Sequence, residues 1–64
     1  MLGTKIKKYL HDNGIKQSYI SEKTNLSIPT LNAMLNGNRK ITAEEYFLIC
    51  DALNVNVEFF REYA

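Results

Sequence analysis

Asparagine and glycine interrupt this chain at four places, Asn13-Gly14, Asn25, Asn36-Gly37 and Asn54. Each interruption closes a run whose apolar residues recur at helical spacing. Glycine suits the left-handed residue that ends a helix, and asparagine tolerates that backbone better than most other side chains. A chain cut in this way builds short helices that must pack on one another, since none is long enough to stand alone. No stretch alternates apolar and polar residues long enough for a strand, and the class expected is all-α.

The segments between the interruptions have readable faces. Leu2, Ile6, Tyr9 and Leu10 form the inner stripe of a first helix. A second, Gln17 to Thr24, offers only Tyr19 and Ile20, with the small Ser21 beside them. Leu26 re-enters the core, and Ser27 is placed to cap a third helix from about Ile28, whose second residue, Pro29, sits where amides lack intrahelical partners. Leu31, Met34 and Leu35 give that helix its inner face. Thr42 and Glu45 have the spacing of a capping box, flanked by Ile41 and Tyr46 as a hydrophobic staple, and Tyr46, Ile49, Cys50 and Leu53 then face inward. Asn56 is placed to cap a fifth short helix carrying Val57, Phe59, Phe60 and Tyr63.

A chain of 64 residues makes one domain, 1–64, of marginal stability. One cysteine rules out an internal disulfide, so the fold rests on its apolar core, as suits a reducing cytoplasm. The near-neutral total charge hides an asymmetry. Residues 1–40 hold Lys5, Lys7, Lys8, Lys16, Lys23, Arg39 and Lys40 against Asp12 and Glu22, whereas residues 41–64 hold Arg61 against Glu44, Glu45, Asp51, Glu58 and Glu62. Either the first set forms one positive face, the electrostatic footprint of a polyanionic partner, or both sets are ordinary solvated surface.

Two short helices joined by a tight turn form a helix-turn-helix unit, which needs a small residue where the helices cross, a flexible one in the turn and an apolar anchor after it. Ser21, Asn25 and Leu26 fill these places. With Gly14-Ile15-Lys16-Gln17, Tyr19-Ile20-Ser21, Leu26-Ser27, Thr30-Leu31, Asn36-Gly37, Ala52-Leu53 and Val55 in order, the chain resembles the Cro and phage-repressor-like (XRE-type) helix-turn-helix family over nearly its full length. The resemblance implies a compact five-helix domain of the lambda-repressor type.

It also implies roles. Gln17 is similar to the family glutamine that, with the helix N-terminus, grips a phosphate, and Lys16 adds charge beside it. Ser27, Ile28, Pro29 and Thr30, with Asn32 and Ala33 one turn later, resemble the surface that faces base edges. Asn36, Asn38, Arg39 and Lys40 fall where the family's loop touches the second backbone strand. Asn32 alone among the base-facing positions matches adenine with a paired donor and acceptor, while Ile28, Pro29 and Ala33 suit thymine methyls, so an A·T-containing half-site is expected. Asn25 and Asn54 stand where relatives often have glycine, and Leu10 and Leu35 where many have a buried charge pair.

Other residues carry plainer readings. His11 has no partner at metal-ligand spacing, Cys50 is a packing residue, and Glu44 and Glu45 are accounted for by capping and the helix dipole. Lys5, Lys7 and Lys8 either reach phosphates from the first helix or keep the domain soluble, and the second reading is favoured because exposed lysine is the default helix surface residue. No catalytic cluster, metal, cofactor, small-molecule substrate or membrane segment is implied. The expected function is sequence-specific binding of double-stranded DNA as a small phage- or mobile-element-type repressor that occludes its operator. The dimer expected joins through the fifth helix at Val57, Phe59, Phe60 and Tyr63, with Val57 and Phe60 sharing a face that can seal the core and Phe59 and Tyr63 on a neighbouring one; the alternative is that Phe59 folds back onto the first or fourth helix as core. The rival is a protein-interaction module, of antitoxin or anti-repressor type, on the same fold.

Overall fold

Side-chain capping sets the starts of two of the four helices in the computed structural model, which describes residues 1–63, so that the expected domain of 1–64 extends one residue beyond them. The elements are α1 (Leu2–Asp12), α2 (Gln17–Thr24), α3 (Ile28–Leu35), α4 (Ala43–Leu53) and a 3-10 turn at Phe59–Arg61. Ser27 caps α3 by accepting the Thr30 amide, and Thr42 and Glu45 cap α4 reciprocally, the capping box legible in the sequence. All four interruptions act as stops: Gly14 (φ 65°), Asn25 (63°), Gly37 (78°) and Asn54 (58°) take the left-handed conformation.

The core is formed by Ile6 and Leu10 of α1, Ile20 of α2, Leu31, Met34 and Leu35 of α3, Ile49 and Cys50 of α4, and Phe60. Tyr9, Ile15, Leu26, Ile41, Tyr46, Leu53, Val55 and Tyr63 pack around it. α3 lies against α1 and α2, α2 against α4, and the 3-10 turn against α1. Leu10 and Leu35 are both buried, so apolar packing stands where a buried charge pair would need its desolvation repaid. Burial also pushes the Cys50 thiol above its ordinary range, which suits a packing residue.

Two expectations change. The fifth helix is not an α-helix: Asn56 makes no side-chain cap, and Phe59 to Arg61 form a single 3-10 turn. So short a segment cannot offset the cost of helix nucleation with its own hydrogen bonds. It is held ring by ring instead, with Tyr9 meeting Phe59, Phe60 and Tyr63 edge-on at centroid distances of 5.0, 5.5 and 5.4 Å. Without helical periodicity Val57 and Phe60 do not share a face. Phe60 is fully buried, while Val57 is exposed and gives only its carbonyl, which accepts the Tyr46 hydroxyl. In α1, Leu2 faces solvent and Gly3 is the residue buried against α3.

Candidate nucleic-acid interface

The turn between α2 and α3 is built by side chains. The Ser21 hydroxyl donates to the Leu26 carbonyl at 2.6 Å; Thr24 donates to the Ile20 carbonyl at 2.7 Å and accepts the Leu26 amide at 3.2 Å. With Asn25 left-handed between them, these bonds fix the angle at which α3 leaves α2. Thr24 is the only buried polar residue among those described, and both of its hydroxyl functions are used.

α3 then divides cleanly. Leu31, Met34 and Leu35 are buried, and Ile28, Pro29, Asn32 and Asn36 are exposed on the opposite side, with Thr30 and Ala33 half-buried at its margins. Ser27 and Thr30 are occupied with each other: the Ser27 hydroxyl donates to Thr30 Oγ1 at 2.8 Å while accepting the Thr30 amide. They hold the start of α3 in place.

The start of α2 differs from those of α3 and α4. Lys16, its N-cap, is extended and supplies no side-chain cap, and among the described residues nothing accepts from the amides of Gln17 or Ser18. Open amides at a helix N-terminus beside an exposed lysine favour an anion.

The loop after α3 is more ordered than its sequence suggests. The Asn38 amide donates to the Ala33 carbonyl at 2.8 Å. Arg39 donates from both terminal nitrogens to the two Glu45 oxygens at 2.9 Å each, and the same carboxylate accepts the Thr42 amide. The guanidinium, and then that amide, hold the Glu45 carboxyl down at about 2. Arg39 is therefore a charge already paired, anchored to the capping box, whereas Lys40 is exposed and in no ion pair among the described residues.

A family model described as Helix-turn-helix matches residues 6–60, which span all but the two ends of the chain. The chain belongs to the XRE-type, Cro-like helix-turn-helix family. No curated protein and no solved structure matches it. The match covers the two helices and the turn described above, and membership carries the general character of a DNA-binding regulator. The helix-turn-helix domain has no helix long and apolar enough to cross a membrane, and no cluster of three metal-ligating side chains among the described residues.

Within the domain, the anticipated residues fall in three pieces: the start of α2 (Lys16, Gln17), the start and outer side of α3 from Ser27 to Ala33, and the segment from Asn36 to Lys40; Lys16 and Ile28 line one open groove. The C-terminal set does not hold together. Phe60 is fully buried and offers no surface, which leaves Val57, Phe59 and the half-buried Tyr63 at the surface. Lys7 was missed. Its Nζ donates to Asn36 Oδ1 at 2.5 Å, across the junction of α1 and α3. No sequence pattern marks a contact between residues so far apart in the chain.

Proposed function

We propose that this domain is a sequence-specific double-stranded DNA-binding regulator that acts as a repressor of the phage or mobile-element type by occupying its operator. One observation carries the proposal: in a helix-turn-helix chain, the outer face of α3 presents Ile28, Pro29, Asn32 and Asn36 to solvent while its inner face is fully packed. Asn32 is the base-reading side chain, suited to adenine, and Ile28 and Pro29 suit thymine methyls. Lys16, Lys40 and the open amides of Gln17 and Ser18 supply phosphate contacts. Two domains bind together through the surface of Phe59 and Tyr63, on half-sites one helical turn apart.

The test is a salt-titrated binding assay followed by selection from a random duplex library. Binding to random duplex at low salt, and an enriched A·T-containing half-site, are expected. Asn32→Ala then costs about 1–3 kcal/mol on the selected site and little on random DNA. Equal loss on both would reduce Asn32 to a backbone contact. No binding to random duplex at low salt would favour a second reading, a protein-interaction module. The open groove lined by Lys16, Tyr19, Ile28 and Leu53, with Tyr19 and Ile28 exposed, supports that alternative.

A further inference from the structure

We infer that Lys7, on α1, is a positioning residue for DNA readout, acting on Asn32 through Asn36; the inference rests on the assignment of Asn32 to a base edge. Asn32 and Asn36 lie one turn apart on the exposed side of α3. Lys7 Nζ donates to Asn36 Oδ1 at 2.5 Å, and Asn36 Nδ2 donates to Asn32 Oδ1 at 3.1 Å. Chemistry dictates the direction of this relay. An ammonium has donors and no acceptor, so Asn36 must turn its oxygen to Lys7. Its amide nitrogen is then left for Asn32, which must meet it with oxygen.

The consequence falls on the far end. A free carboxamide on a solvent-exposed helix rotates between two nearly equivalent orientations that exchange donor and acceptor. The relay removes that choice. Asn32 keeps both Nδ2 hydrogens and one Oδ1 lone pair, which is the set a bidentate contact to adenine N7 and N6 requires. A base edge therefore meets a preset pattern and need not select one orientation from two. Lys7 is suited to this task because none of the described acidic side chains competes for it. Of the neighbouring lysines, Lys8 is paired with Asp12 at 2.7 Å and Lys5 donates to the Arg61 carbonyl at 3.1 Å.

The test compares binding to the selected site with binding to random duplex for Asn32→Ala, Asn36→Ala, Lys7→Met and Lys7→Arg, each verified as folded by its melting curve. Lys7→Met and Asn36→Ala are expected to lower the specific-to-random ratio by about 3- to 10-fold, the range of one hydrogen bond. Lys7→Arg, which keeps the donor, should preserve the ratio. Combining Lys7→Met with Asn32→Ala should lower it no further than Asn32→Ala alone. In DNA-free protein, the Asn32 side-chain amide resonances should move in Lys7→Met, although Lys7 does not bond to Asn32. If Asn32→Ala lowers the ratio and Lys7→Met leaves it unchanged, or weakens both DNAs equally, the relay is overturned and the Asn32 assignment stands. If Asn32→Ala leaves the ratio unchanged, the assignment fails and the inference falls with it.

Discussion

Gly3 has an ordinary helical backbone, so conformational freedom does not explain it. Its importance is spatial: a methyl group there would overlap the Met34 carbonyl oxygen and lie 3.1 Å from the carbonyl carbon. That neighbour is backbone at the C-terminal turn of α3 and cannot swing aside. Glycine to alanine inside a helix normally gains about 0.5–1 kcal/mol, whereas forcing atoms into a packed contact costs about 1–3 kcal/mol, so the clash decides the sign. Gly3→Ala is expected to destabilise the domain, measured by urea unfolding, and to tilt α3 away from α1. Residues whose effect is local were legible in the sequence: Thr42 and Glu45 at a fixed spacing, Asn25 and Asn54 where the backbone turns left-handed. Gly3, Lys7 and Thr24 were not, because each acts through a partner that only the packing of helices brings near. The loop after α3 that holds Arg39 was legible, but the pairing of Arg39 with Glu45 depends on how that loop returns to α4.

Among the elements, the start of α4 serves both stability and charge. Glu45 completes the capping box and holds Arg39, and its carboxyl titrates at about 2 in the fold against an ordinary 4.5. A depressed folded value stabilises the native state above the unfolded value, and the contribution is lost as pH falls through the folded one. Acid should therefore weaken the domain progressively between about 4.5 and 2, as read by urea midpoints. Glu45→Gln keeps a capping side chain at the same position. It should lower stability at neutral pH and flatten that acid dependence, and by freeing the Arg39 charge it should tighten binding to random duplex at low salt. An unchanged acid profile would mean that the carboxylate does not hold the pair in solution. At this scale the sequence showed every helix except the last, whose aromatic residues resemble an amphipathic helix but are ordered by contact with Tyr9.

For the molecule as a whole, Phe59 and Phe60 separate folding from assembly. Phe60 is fully buried, and Phe60→Ala should cost about 3–5 kcal/mol, close to the entire stability of a domain this small, leaving no cooperative melt. Phe59 is 37% exposed, with one side on Tyr9. Phe59→Asp should remain folded and, if dimerisation runs through this surface, lose affinity for a two-half-site operator while retaining its binding to a single half-site. Loss of the fold in Phe59→Asp would place its ring with the core. The charge asymmetry between the halves of the chain persists in space only in part, because Lys8 and Arg39 are neutralised by Asp12 and Glu45. Lys5, Lys7, Lys16, Lys23 and Lys40 carry what remains, on α1, at the start and end of α2, and in the segment after α3. The clasp of Tyr9 with Phe59, Phe60 and Tyr63 also bears on the order of synthesis. A ribosome makes α2 and α3 well before it makes Phe60, so the nascent chain holds the helix-turn-helix before it can complete the core around it. The clasp on α1 closes only when Phe59, Phe60 and Tyr63 clear the ribosome, so the core is completed by the residues made after all four helices.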